Sequence, residues 1–270
     1  MSRCAARRRW TLRALAKGMA GIALAGALAA CHSAPAPYQN PSRAYKPEPA
    51  QAAIANMQMA IEYMRLNNLA RARDRIERAL SQDPDNANVQ ETAGLVYERL
   101  NEMAKAQRAF STAARLGKQD PGIQNSYAGF LCRTGKAAAG EKLFVEVARN
   151  PAYQTPEVAL VNAGVCVSGS GDVVDAERYF NSALKVRPNM PEAMLQLGNL
   201  QFDRGDTEQS LALVKRYLAV NPPTPDILWL GYRAERKLGD TTAAASYARR
   251  VQTEFPDSEQ ARTIRAGMDQ

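Results

Sequence analysis

From about residue 52 onward the apolar positions repeat along the chain. Small residues recur at Ala60, Gly94, Gly129, Gly164, Gly198 and Gly231, spaced 34, 35, 35, 34 and 33 apart. A second small series runs Ala72, Ala106, Gly140, Ala176, Ser210 and Ala244, spaced 34, 34, 36, 34 and 34. A third, Ala79, Ala113, Val147, Ala183, Tyr217 and Val251, keeps those same spacings. Bulky Phe110, Phe144 and Phe180 lie between the small positions. A proline recurs once per interval, at Pro84, Pro121, Pro151, Pro188, Pro222 and Pro256. Proline lacks an amide to donate and hinders the turn before it, so it reads as the stop of a helix. Gly171-Asp172, Gly205-Asp206 and Gly239-Asp240 mark tight turns, with glycine ending one helix and aspartate capping the next.

A unit of about 34 residues with these signals is the tetratricopeptide pattern, two antiparallel helices that pack closely at the small positions. The expected fold is all-α: a tetratricopeptide-repeat superhelix of about six helix-turn-helix units over residues 52–258. Residues 259–270, "SEQARTIRAGMDQ" with Ser258 in front, read as a partial helix closing the apolar end of the stack. The passage "RNPAYQTPE" makes a longer loop between units three and four.

Residues 1–30 have a different pattern. Six basic residues from Arg3 to Lys17 precede an apolar core at 19–30 that is too short to span a membrane, which takes about 20 residues. That order is the pattern of a secretory signal peptide. Leu28-Ala29-Ala30-Cys31 resembles the bacterial lipobox, which implies cleavage before Cys31 and a lipid on its thiol. The residues after the lipid site, His32 and Ser33, include no aspartate, which implies delivery to the outer membrane, periplasmic face. Residues 31–51 hold five prolines and read as an extended tether with a reach on the order of 60 Å.

The signal segment also carries most of the charge. The full chain is +8, but removing its six basic residues leaves 29 Lys and Arg against 27 Asp and Glu. The remainder gives no support for nucleic-acid binding, which wants a concentrated basic face. The single histidine, His32, sits in the tether, which removes a Ser-His-Asp arrangement and an ordinary histidine zinc site. There is no CxxC and no phosphate-cradling glycine loop. The expectation is a non-enzymatic protein with no cofactor, no metal and no small-molecule substrate.

Two cysteines remain in the repeats. Cys132 and Cys166 are 34 apart, late in the first helices of neighbouring units. Two readings are open, a disulfide in an oxidising periplasm or two buried apolar thiols. The disulfide is preferred, as a staple of units three and four across the longer loop. It requires a local approach, because helices pack 8–10 Å apart and a disulfide wants its Cα atoms within about 7 Å.

First helices of such units line the concave face, with motif positions 2, 5, 9 and 12 toward the groove. Position 9 reads Ile61, Leu95, Phe130, Val165, Asn199 and Tyr232, and unit one adds Met57 and Met64. An apolar, methionine-bearing groove suits a helix or extended segment of a protein partner.

The segments "NSYAGFLCRTG" in unit three and "VNAGVC" in unit four resemble the paired asparagine–glycine–cysteine segments of the type IV pilus biogenesis/stability lipoprotein family of PilF/PilW type. Together with the lipobox, tether and repeats, the resemblance covers essentially the whole chain. It departs at "NSYAGFLC", where the family form runs closer to "NNYGWFLC". The resemblance implies a pilotin, an adaptor that brings subunits of the type IV pilus secretin to the outer membrane and helps them multimerise there. Two other adaptor roles suit the same fold: a repeat lipoprotein that scaffolds peptidoglycan hydrolases, and an accessory subunit of the outer-membrane protein assembly machine.

Overall fold

The computed structural model describes residues 48–267. The expected signal peptide, Cys31 and most of the tether lie outside the described residues. Thirteen helices follow one another in antiparallel pairs, with no strand among the described residues. The first helices, the A row, are α1 (Pro49–Arg65), α3 (Ala87–Arg99), α5 (Pro121–Arg133), α7 (Pro156–Gly169), α9 (Pro191–Arg204) and α11 (Pro225–Leu238). The second helices, the B row, are α2 (Leu69–Gln82), α4 (Met103–Leu116), α6 (Ala137–Arg149), α8 (Val173–Val186), α10 (Thr207–Val220) and α12 (Thr241–Glu254). A short α13 (Glu259–Ala266) follows, burying Ala261 against the last pair.

The turns form where the chain can adopt positive φ. Gly171, Gly205 and Gly239 do so at +90°, +100° and +87°. In units one and two Asn67 and Asn101 take the same role at 54° and 59°, which asparagine tolerates better than other side chains. Asp172 and Asp240 then accept hydrogen bonds from the backbone N–H of Asp175 and Ala243, capping α8 and α12. Asp206 does not cap α10; Arg204 draws its carboxylate instead. Pro84, Pro151, Pro188, Pro222 and Pro256 lie just past the ends of B helices, as expected of stops, whereas Pro121 and four other prolines open helices. Pro49, Pro121, Pro156, Pro191 and Pro225 each stand in the first turn of an A helix, where no amide is missed. The helical array therefore begins at Pro49, three residues before the boundary expected at 52.

Packing gives the array its curvature. Each A helix meets its own B helix and, where there is one, the preceding B helix and the next A helix. No Cα of one B helix comes within 8 Å of another B helix. The closely spaced A row is therefore the inner, concave side, and the B row is splayed outward. The core lies between the rows in clusters centred on Phe110, Phe180 and Val214. Each of these side chains is at most 1 % exposed.

One side-chain link joins the B row at units three and four. The Tyr179 hydroxyl on α8 donates to Glu141 on α6 at 2.6 Å. Burial, and then this hydrogen bond, push the Tyr179 phenol up to about 12, so it stays a neutral donor at any physiological pH.

Candidate functional site

In most units the small residue of helix A receives the bulky residue of helix B sixteen positions later. Phe110 covers Gly94, Phe180 covers Gly164 and Tyr247 covers Gly231, each so closely that a Cβ on the glycine would lie under 3.0 Å from the ring. In unit three the same interval pairs Phe144 with Ala128, and both are buried in one cluster. The small position of unit three is thus Ala128 and not Gly129. The corrected series is spaced 34, 34, 36, 34 and 33, with its long step where the B-row series has its own.

That one-residue shift corrects a candidate groove residue. Phe130 is not open to the groove. It falls at motif position 10, is 1 % exposed, and packs its ring 4.7 Å from Phe110. Gly129 takes position 9 in its place. Where neighbouring units present Leu95 and Val165, unit three presents no side chain, and the groove has a hole.

The hole is a cavity of about 660 Å³ on the concave side of α3, α5 and α7. Leu95 and Val165 flank it, Gly129 lies between them, and Phe144 is also in its wall. Asn125, at position 5, and Asn162 add polar groups to the wall. Asn162 Nδ2 donates to Asn125 Oδ1 at 3.3 Å. The pair keeps an amide NH₂ on Asn125 and an amide oxygen on Asn162 without partners among the described residues. One donor and one acceptor side by side match the needs of a peptide backbone. Arg133, at the rim, is held by Glu98 of unit two through Nε and Nη2 at 2.7 and 2.9 Å.

Cys132 and Cys166 form another part of the wall, and their sulfurs are bonded. Their Cα atoms are 5.4 Å apart, well inside ordinary helix spacing. In the corrected register Cys132 is at position 12 and Cys166 at position 10. That offset follows from the 36-residue interval between these two units, since the cysteines themselves are 34 apart. Gly140 makes room for them. A Cβ there would lie 2.3 Å from Cys132 Sγ and 2.8 Å from the Ala128 carbonyl oxygen. The other units carry alanine or serine at that position.

Gly140→Ala is accordingly expected to destabilise the protein by about 1–3 kcal/mol through overpacking. Urea unfolding would measure it. The loss should shrink in a Cys132→Ala, Cys166→Ala background, because the sulfur that Cβ meets is gone. An equal loss in both backgrounds would show that the sulfur is not what glycine accommodates.

The unit-one candidates lie apart from this cavity. Ile61 is 42 % exposed on α1, whereas Met57 and Met64 are half-buried against the N-terminal core cluster. Leu95 and Val165 join Cys132 and Cys166 in the cavity; Met57, Ile61 and Met64 do not. The position-based reading missed Asn125, Gly129 and Asn162. The 36-residue step in the helix-B series was the signal that would have placed the first two. Among the described residues there is no cluster of His, Cys, Asp and Glu suited to a metal, and no helix long and apolar enough to cross a membrane.

Tetratricopeptide-repeat family models match residues 57–122, 169–229 and 227–258. The interval they leave, 123–168, holds both cysteines and most of the cavity wall. The type IV pilus assembly protein PilF of Pseudomonas aeruginosa is 21 % identical over 220 residues, 82 % of this chain and 87 % of that protein. The crystal structure of PilW, a widely conserved type IV pilus biogenesis factor, superposes with a TM-score of 0.68 at 31 % identity, covering 79 % of this chain and 98 % of that one. A structure of Pseudomonas aeruginosa PilF superposes at 0.64 and 20 % identity, covering 81 % and 99 %. With its repeats, its cysteine-bearing third and fourth units and this likeness over nearly the whole of PilW, the chain belongs to the PilF/PilW family of tetratricopeptide-repeat type IV pilus biogenesis proteins.

Proposed function

We propose that this protein is a non-enzymatic adaptor, lipid-anchored through Cys31 to the periplasmic face of the outer membrane, that acts as pilotin of the type IV pilus secretin. Its concave groove holds a segment of a secretin subunit. The observation that carries this reading is the cavity at Gly129. Five of the six residues that bear the family resemblance, Asn125, Gly129, Cys132, Asn162 and Cys166, line it, while Gly164 lies under Phe180. The missing side chain leaves space for a bulky apolar group of the partner between Leu95 and Val165. The Asn125–Asn162 pair supplies a donor and an acceptor for the partner's main chain. The likeness to PilF and PilW supports the pilus setting, and the lipobox and tether support the anchor.

The test is made in cells lacking the gene. Outer membranes are immunoblotted for the heat- and detergent-resistant secretin multimer after complementation with the wild-type chain, Gly129→Phe or Cys31→Ala. A side chain at Gly129 first meets the flexible end of Arg133, so the fold should accept it. The wild type is expected to restore the multimer. Gly129→Phe should fill the cavity and reduce the multimer roughly tenfold at unchanged protein level, the effect of losing one buried anchor. Cys31→Ala should leave the multimer misplaced. A normal multimer in the deletion strain would overturn the pilotin reading and bring the peptidoglycan-hydrolase scaffold forward.

A further inference from the structure

The outward edge of the B row carries a charge pattern that the overall composition conceals. Four exposed or half-buried positions recur on each B helix, represented in α2 by Arg71, Asp74, Arg78 and Ser81 and in α4 by Lys105, Arg108, Thr112 and Arg115. Over all six B helices these positions hold eleven Lys or Arg and three Asp or Glu. The mature segment as a whole is nearly balanced, so the rest of it is net acidic. The excess is densest on α2 and α4, with five basic side chains at these positions against Asp74 and, beside it on the same face of α2, the exposed Glu77. Arg78 meets Asp74 and Lys105 meets Glu102. Arg71, Arg108 and Arg115 have no carboxylate within 4 Å among the described residues. Such a group of solvated cations is unlike the scattered, mutually paired charge of an ordinary surface.

The position of this ridge says what it meets. It lies on the first two units, those nearest in sequence to Cys31, and α2 packs directly on α1, into which the tether runs. A chain anchored there keeps units one and two at high effective concentration at the lipid surface. Anionic headgroups attract clustered Lys and Arg within a Debye length, about 8 Å at physiological salt. We propose that the basic ridge of α2 and α4 rests on anionic phospholipid. This holds the array flat against the membrane with its concave groove turned away from it. The inference rests on the lipid-anchored reading above and extends it from attachment to orientation. It also assigns the two faces separate tasks: the splayed B row meets the membrane, and the A row remains open to a partner.

The experiment uses the full mature chain in vesicles of phosphatidylcholine with or without phosphatidylglycerol, some of it nitroxide-labelled at the headgroup. Cys31 is lipidated and Cys132 is bonded to Cys166, so a single added cysteine takes the fluorophore. One probe is Ser111→Cys, on α4 between Arg108 and Arg115. The other is Gln58→Cys on α1, at the motif position that Asn162 occupies in the cavity wall. Headgroup quenching at Ser111 is expected to rise roughly threefold when phosphatidylglycerol is present, and to return to baseline in high salt. It should also be lost in Arg71→Glu, Arg108→Glu, Arg115→Glu, while the Gln58 probe stays unquenched throughout. Equal quenching at the two sites, or none that depends on phosphatidylglycerol, would overturn the proposal. So would a triple variant that keeps its quenching but loses an acidic protein partner. Mass spectrometry of Cys31 reports the anchor separately. If the chain carries no lipid, flotation with phosphatidylglycerol vesicles alone still supports the ridge, and failure to float refutes it.

Discussion

Replacing both cysteines, Cys132→Ala with Cys166→Ala, is expected to lower the stability of the repeat array by about 4 kcal/mol, the loop-closure entropy that a bridge across 34 residues removes from the unfolded chain. The effect should be local. The bridge spans units three and four, whose connection at 150–155 is the least regular in the array, and repeat proteins are held together by interfaces between neighbours. Amide hydrogen exchange is therefore expected to accelerate first in α5 through α8, with α1 to α3 and α11 to α13 keeping their protection. A reductant should reproduce the result in the wild-type protein. If the double variant unfolds at the same denaturant midpoint as the wild type, packing alone holds these units and the bridge serves another purpose. Because both sulfurs line the candidate cavity, the variant should also widen it, and partner capture should weaken beyond what the stability change accounts for.

Phe180→Ala should have an effect of similar size from a different cause. Phe180 is 1 % exposed, and its ring lies where a Cβ on Gly164 would sit 2.5 Å away. Helices α7 and α8 cannot close over the space left behind, because Ala163, Ala176 and Ala183 already bring them together. Emptying such a site typically costs about 3–5 kcal/mol. Phe202→Ala is the control. Phe202 is only partly buried, lying under Arg233 and Lys237 at 4.1 and 4.7 Å, and its loss should cost much less. Denaturant midpoints at equal slopes would measure both. If the two variants lost the same stability, the ring-on-glycine contact would not be the source of the strength of unit four.

These expectations mark how far the sequence can be read. The helices are legible because an amphipathic helix must show its buried stripe locally, at every third or fourth residue, and the repeats show it six times. The turn at Gly171-Asp172 is legible for the same reason, since positive φ and a capping oxygen are needs of the chain's own backbone. Asp206 shows the limit: its type and place suit a cap, but Arg204, two residues earlier, takes its carboxylate. Phe130 shows a further one. It and Gly129 are adjacent in a run where Ala128 and Gly129 could both serve as the small residue. Only the ring of Phe144 decides which of them does.

The sequence by itself determined an all-α repeat with two helices in each unit, because small residues, turn glycines and helix-stopping prolines act on the backbone beside them. It also determined the order of basic, apolar and cysteine-bearing segments at the start, on which the expected export and lipid site rest. Only the tertiary structure decided which residue of unit three faces the groove, that Gly129 leaves a cavity there, and that the Cys132 and Cys166 Cα atoms lie 5.4 Å apart. It alone gathered Arg71, Arg108 and Arg115 onto one outward edge. The physical reason is common to all of these. A backbone preference extends over one turn of helix. A cavity, a bridge between units or a charged ridge is set by how far one helix pair is shifted and rotated against the next, and each such shift sums contacts from residues more than thirty positions apart.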